Sequence, residues 1–240
     1  MESVVSNGRL HVTYQVSNSI LYRYWEDDNW TGEHTVSTSE NGTNPRITAR
    51  YDGTNNDYVY FLYKKENEET GKWRRYEVTG NSWGTLYSGF SLTNVITSYP
   101  TGIRVTGERV IIYYDYFKTV LGNNYWHFAW VELSFTNNLL RGSYIFGNQS
   151  GKLFSTTTLD NVSHSVFRIF NISGPEGVDL WEIDRSKFEH GGSNDVVYGF
   201  GDEEQPGINH LNLSAAGKEV HVIWKDIFGN NNGNNLRYIL

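Results

Sequence analysis

Tyr58-Val59-Tyr60-Phe61-Leu62-Tyr63 is an unbroken run of aromatic and aliphatic residues, framed by the turn Asp52-Gly53 and by the charged stretch Lys65–Gly71. Its length and its Tyr, Val and Phe content read as a β-strand. Working outward from it gives a complete small sheet. Pro45-Arg46-Ile47-Thr48-Ala49 is a first strand, Tyr58–Lys64 a second, Lys72–Val78 a third, and Thr79-Gly80-Asn81 turns the chain before Trp83. The central strand recurs as Leu10-His11-Val12-Thr13-Tyr14, Val110-Ile111-Ile112-Tyr113-Tyr114, Val178-Asp179-Leu180-Trp181 and Val220-His221-Val222-Ile223-Trp224. The spacing averages roughly 50 residues, a range in which internal repeats mean propellers or solenoids. No helical stretch separates the copies. The expected fold is all-β: a β-propeller of about five blades, or six if one copy is degenerate, each of up to four antiparallel strands. Residues 1–240 form one domain in this reading, with blades near 1–40, 41–95, 96–155, 156–203 and 204–240.

Composition narrows the class. Aromatic residues make up 15% of the chain, and they join Val, Ile and Thr as strand formers. Gly and Asn crowd the segments between strands, where turns need positive φ. The net charge of −7 comes without a basic stripe, which argues against phosphate neutralisation and so against a nucleic-acid partner. With no cysteine, neither disulfides nor thiolate chemistry is available. Met1-Glu2-Ser3-Val4 lacks the charged and apolar regions of a secretory signal, and no apolar run is long enough to span a bilayer.

The fourth and fifth blades are less regular. Ser165–Phe170, Val178–Asp184 and Val196-Val197-Tyr198 read as three strands of the fourth, without a recognisable outer one. The fifth reads as Gly207–Asn212, Glu219–Asp226 and Leu236–Leu240, and also stops short of an outer strand. Either the N-terminal segment completes that last blade or the chain is one piece of a longer propeller, because an open apolar edge invites association.

One set of polar residues falls at matched places on the innermost strands: Arg46, Arg104 and Arg168, with His210 in the fifth blade. Side chains there converge on a central channel, and guanidiniums around one point hold a carboxylate or sulfate through bidentate bonds. The alternative is that each arginine pairs with a neighbouring acid such as Asp115 or Glu108. Trp30 and Trp83 occupy equivalent places after the third strand of two blades, where an indole either stacks on a sugar or packs between sheets. Asp115, Asp184 and Asp226 follow second strands and either bond turn backbone or offer oxygens to a hard cation, Asp226 beside Asn230–Asn235 being the densest group. The seven histidines show no zinc-ligand spacing, and neither metal nor cofactor is expected.

Asn212–Asp226, with its Val-x-Val-x-Trp-x-Asp core at Val220–Asp226, resembles a blade of the sialidase-type (BNR-repeat) propellers. The likeness extends over nearly the whole chain, most clearly in the second and fifth repeats. Two hallmarks of those propellers are missing. The Asp-box, S-x-D-x-G-x-x-W, survives only as remnants at Glu26–Trp30 and Thr79–Trp83, and the R-I-P motif has its nearest counterpart in Phe167-Arg168-Ile169-Phe170. The resemblance implies arginines placed against a substrate carboxylate. It also implies a Tyr–Glu nucleophile pair with an Asp acid/base, and no Glu or Asp stands at a matched position. An arabinanase-like glycosidase would need carboxylates on the inner strands, where Arg and His stand instead. The expected function is a non-catalytic, lectin-like propeller that binds carbohydrate or a glycoprotein at an extracellular or surface location. The alternatives are a sialidase-type hydrolase acting on an acidic sugar, and a structural or protein-interaction propeller.

Overall fold

In the computed structural model the described backbone comprises residues 1–37, 41–51, 53, 57–66, 68, 70–89, 97–106, 109–120, 123–145, 149–159, 162–171, 177–183, 195–199, 210–216, 219–226 and 235–239. Side chains are described within residues 1–140, apart from 97, 106, 118, 120 and 123–128 among the strand residues.

Among the described residues every regular element is a strand, and the strands form five antiparallel sheets in chain order. The first sheet is β1 (Glu2–Ser6), β2 (Arg9–Val16), β3 (Ser19–Glu26) and β4 (Asn29–Trp30), with β5 (His34–Thr35) also paired to β3. The second is β6 (Gly42–Tyr51), β7 (Asp57–Lys65) and β8 (Lys72–Glu77), with the short β9 (Ser82–Trp83) and β10 (Tyr87–Ser88) both on β8. The third runs β11 (Thr97–Thr106), β12 (Arg109–Val120), β13 (Asn123–Ser134), β14 (Leu139–Ile145). The fourth runs β15 (Gln149–Leu159), β16 (Val162–Asn171), β17 (Gly177–Ile183), β18 (Asp195–Gly199), and the fifth β19 (His210–Ala216), β20 (Glu219–Asp226), β21 (Asn235–Ile239). A series of such meanders, each one blade, is the β-propeller construction expected from the repeat.

Two compact units divide the chain: Met1–Tyr114 with Val131–Leu140, and Asp115–Trp130 with Arg141–Leu240. Within each, successive sheets meet through their first strands. In the first unit β1 lies beside β6 and β6 beside β11; in the second, β15 lies beside β19.

Burial explains the strand sequences. In β2 and at the start of β3 buried and more exposed positions alternate, because one face, carrying His11, Thr13, Ile20 and Tyr22, is buried against the second sheet. In β7 the alternation vanishes, since Val59, Tyr60, Phe61, Leu62 and Tyr63 are all buried. Val59, Phe61 and Tyr63 join Ile20, Tyr22, Val36, Ile47, Tyr76 and Val78 in one core, in which Tyr22 meets Phe61 edge-on at 4.8 Å between ring centroids. On the other face Tyr60 stacks at 5.8 Å on Phe135, and the Trp73 indole N–H donates to Asn137 at 2.8 Å. The second sheet therefore has partners on both sides. Asn7 and Gly8, at φ 46° and 73°, close β1 onto β2 in a two-residue turn that suits the strand twist.

The fourth sheet corrects the sequence reading. Its first strand is β15, so the boundary placed at 155/156 falls inside a strand, and Ser165–Phe170 belongs to the second strand. The strand missing from the sequence reading was the first and not the outer one. Its Gly, Lys, Ser and Thr residues give β15 no apolar run to find, and its pairing with β16 is irregular between Leu153 and Ser155. Asp115 is also placed differently: it lies buried within β12 and not at a turn. Asp184 and Asn230–Asn234 lie outside the described residues.

Candidate functional site

A first strand ends its sheet, so one of its edges carries peptide N–H and C=O groups that no neighbouring strand completes. On β6 that edge is capped by side chains from the adjoining first strands. The Ile47 N–H donates to Glu2 Oε2 of β1 at 2.6 Å, and the Ile47 carbonyl accepts from Arg104 Nη1 of β11 at 3.3 Å. Arg104 Nη1 also donates to the Ile103 carbonyl at 2.7 Å. Through its own N–H and C=O, the single residue Ile47 of the second sheet thus ties together the first strands of three sheets.

Arg46 precedes this residue on β6. It is half-buried, and its Nε is enclosed without an acceptor. Burial, and then the positive charge of Arg46, hold the Arg104 guanidinium below its ordinary range, while Glu2 and Tyr113 act in the opposite sense. Among the described residues, two cations and one carboxylate therefore meet at this edge of the first three sheets. Of the matched polar set in the sequence, the structure brings Arg46 and Arg104 together. Arg168 lies on β16, a second strand, so it does not share their position. His210 opens β19, which is a first strand. The side chains of Arg168 and His210 are outside the described residues.

Trp30 and Trp83 do sit at equivalent places, on the short strands that follow β3 and β8. Their surroundings differ. Trp83 packs on Tyr76 at 4.8 Å and Phe61 at 5.6 Å, with the Arg74 guanidinium 4.1 Å from its ring centroid. Trp30 is 40% exposed, meets Trp25 edge-on at 5.4 Å and has Arg23 at 4.7 Å. Its row continues through Trp25 and Leu10 to Val5, one residue from each of β1 to β4.

Glu2 was not legible in the sequence as part of a site. Nor was a second polar group between the first two sheets. Asp57, fully buried at the start of β7, accepts from the Ser6 hydroxyl at 2.7 Å and lies 3.5 Å from Arg9, which also pairs with Glu26. His11 Nε2 approaches Asp57 at 3.3 Å without good hydrogen-bond alignment, and His11 Nδ1 is 2.8 Å from the Tyr22 hydroxyl. With the proton on Nε2, His11 faces Asp57 as a donor and accepts from Tyr22. Burial pushes the Asp57 carboxyl up, but the contact with His11, the bond from Ser6 and the positive charge of Arg9 outweigh it and hold the group below its ordinary value. Burial pushes the Tyr22 hydroxyl far up, which keeps it protonated as the donor. No grouping of three acidic or histidine side chains able to hold a metal occurs among the described residues.

No protein-family model matches the chain, and no curated protein matches it. Among solved structures it is similar to a prolyl endopeptidase at 10% identity and TM-score 0.49, covering 94% of this chain and 31% of that one. The chain thus spans about a third of that enzyme's length. It is also similar to an α-L-arabinofuranosidase from Podospora anserina, solved with cellotriose, at 12% identity and TM-score 0.49, covering 98% of this chain and 87% of the enzyme. An exo-1,5-α-L-arabinanase from a bovine ruminal metagenomic library gives 12% identity and TM-score 0.44, over 98% of this chain and 90% of the other. Among the described residues no helix is long and apolar enough to cross a membrane.

Proposed function

We propose that this chain is a non-catalytic, carbohydrate-binding β-propeller, with residues 1–240 as one domain, working at an extracellular or surface location and taking the acidic group of a sugar at Arg46 and Arg104. The observation that carries this reading is the Arg46 guanidinium. It stands beside a second cation with a buried N–H that has no acceptor, on the strand edge where neighbouring sheets meet. A buried donor without a partner costs about 1–3 kcal/mol, and an incoming carboxylate supplies the acceptor and the opposite charge together. Arg104 contributes charge while its Nη1 stays on backbone carbonyls, so the site needs two arginines and not three. Glycoside hydrolysis generally uses a pair of carboxylates across the scissile bond. Glu2, the carboxylate that this cluster contains, is already bonded to the Ile47 amide.

Binding of the purified chain to an array of acidic and neutral glycans tests the reading. Retention of carboxylated glycans without turnover, reduced roughly tenfold or more by Arg46→Ala, is the expected result. Hydrolysis of a fluorogenic sialoside or arabinoside, lost on Arg104→Ala, would replace it with the hydrolase reading. Silence on both, with a stable complex recovered by pull-down, would leave a scaffold.

A further inference from the structure

Glu2 gives the site a charge balance of its own. Arg46 and Arg104 bring two positive charges to the edge of β6, and Glu2 brings one negative charge to the same residue, Ile47, whose carbonyl Arg104 bonds. The Ile47 N–H bonds one oxygen of Glu2 at 2.6 Å, which favours the carboxylate staying beside the arginines when an anion arrives. We propose that Glu2 is a specificity-determining residue that takes one charge from the Arg46–Arg104 site, favouring a singly charged sugar such as a uronic acid over a doubly charged sugar phosphate. The inference rests on reading Arg46 and Arg104 as the anion site.

The physical reason is that a second charge on the ligand gains little once Glu2 has neutralised one of the arginines, yet that charge must still be desolvated. A phosphate monoester is close to doubly ionised above pH 7, whereas a uronate carries one charge whatever the pH in that range. Glu2→Gln is the informative substitution, because the amide oxygen still accepts from Ile47 N–H while the negative charge is removed.

Calorimetric titration of the whole chain at pH 7.5 with glucuronate and with glucose 6-phosphate tests the proposal, using the wild type, Glu2→Gln and Arg46→Ala. The wild type is expected to favour glucuronate by roughly tenfold, and Glu2→Gln to strengthen glucose 6-phosphate by a similar factor while changing glucuronate less. A thermal melt of Glu2→Gln alongside the wild type checks that the edge remains capped. If Glu2→Gln, folded, leaves the ratio of the two affinities unchanged while Arg46→Ala weakens both, the role of Glu2 is overturned and the anion site stands. If neither sugar binds the wild type, or Arg46→Ala alters neither affinity, the anion site falls and the inference falls with it.

Discussion

Replacing Asp57 tests the reasoning about the first two sheets most directly. Asp57→Ala removes the acceptor of the Ser6 hydroxyl and leaves the buried His11 Nε2–H facing nothing, while Arg9 keeps Glu26 as a partner. Removing one partner of a buried charge pair typically costs about 3–5 kcal/mol, and the retained Arg9–Glu26 pair places this case at the lower end, near 3 kcal/mol. Asp57→Asn keeps the shape and one acceptor. It costs about 1–2 kcal/mol, because His11 must present a lone pair to the new amide and so reverse its bond with Tyr22. Urea unfolding at pH 7, followed by tryptophan fluorescence and far-ultraviolet circular dichroism, gives the difference. The pH dependence gives the sign. Asp57 is held below its ordinary value in the folded chain, so its contribution is fully present above the unfolded value, about 3.9, and is lost as pH falls through the folded one. The gap between wild type and Asp57→Asn is therefore expected to be constant from pH 7 to about 5 and to shrink below 4. An Asp57→Ala variant as stable as the wild type at pH 7, or a gap that widens on acidification, would refute the account.

Trp83→Ala is expected to cost about 2–3 kcal/mol in thermal or urea unfolding through lost contact with Phe61, Tyr76 and Arg74, and to leave glycan binding unchanged. Trp30→Ala, at an exposed edge, should cost less than about 1 kcal/mol by the same measurement. Gly71→Ala should lower the melting temperature, with a cost of about 1–3 kcal/mol, since Gly71 sits at φ 70° and an added Cβ would lie 2.8 Å from Pro100 Cγ.

The fold was legible where burial left a mark on composition. Tyr58–Tyr63 and Val110–Tyr114 are apolar throughout because both faces of β7 and β12 are covered, and such runs stand out in any reading. β15 left no such mark. Missing it moved Ser165–Phe170 to the front of its sheet and put Arg168 in line with Arg46 and Arg104, a match the pairing does not support. Arg46 and Arg104 stood out because each is a lone arginine in a short strand-like stretch, and both do lie on first strands. Glu2 was not, because its role depends on a contact with the backbone of residue 47, and main-chain partners have no sequence signature. The same holds for Asp57 and His11, far apart in the chain and joined only when two sheets stack. Trp30 and Trp83 show the converse: one sequence position, two environments, set by what the neighbouring strands bring up to each ring.

The junction at Ile47 has an evolutionary consequence. Both of its bonds are made by the main chain, so exchange of the isoleucine for valine or leucine changes the packing beneath the junction and leaves the bonds themselves intact. Only proline would abolish the donor outright. Sequence drift is therefore tolerated at the anchor point and resisted at positions 2 and 104, the reverse of what the central placement of Ile47 suggests.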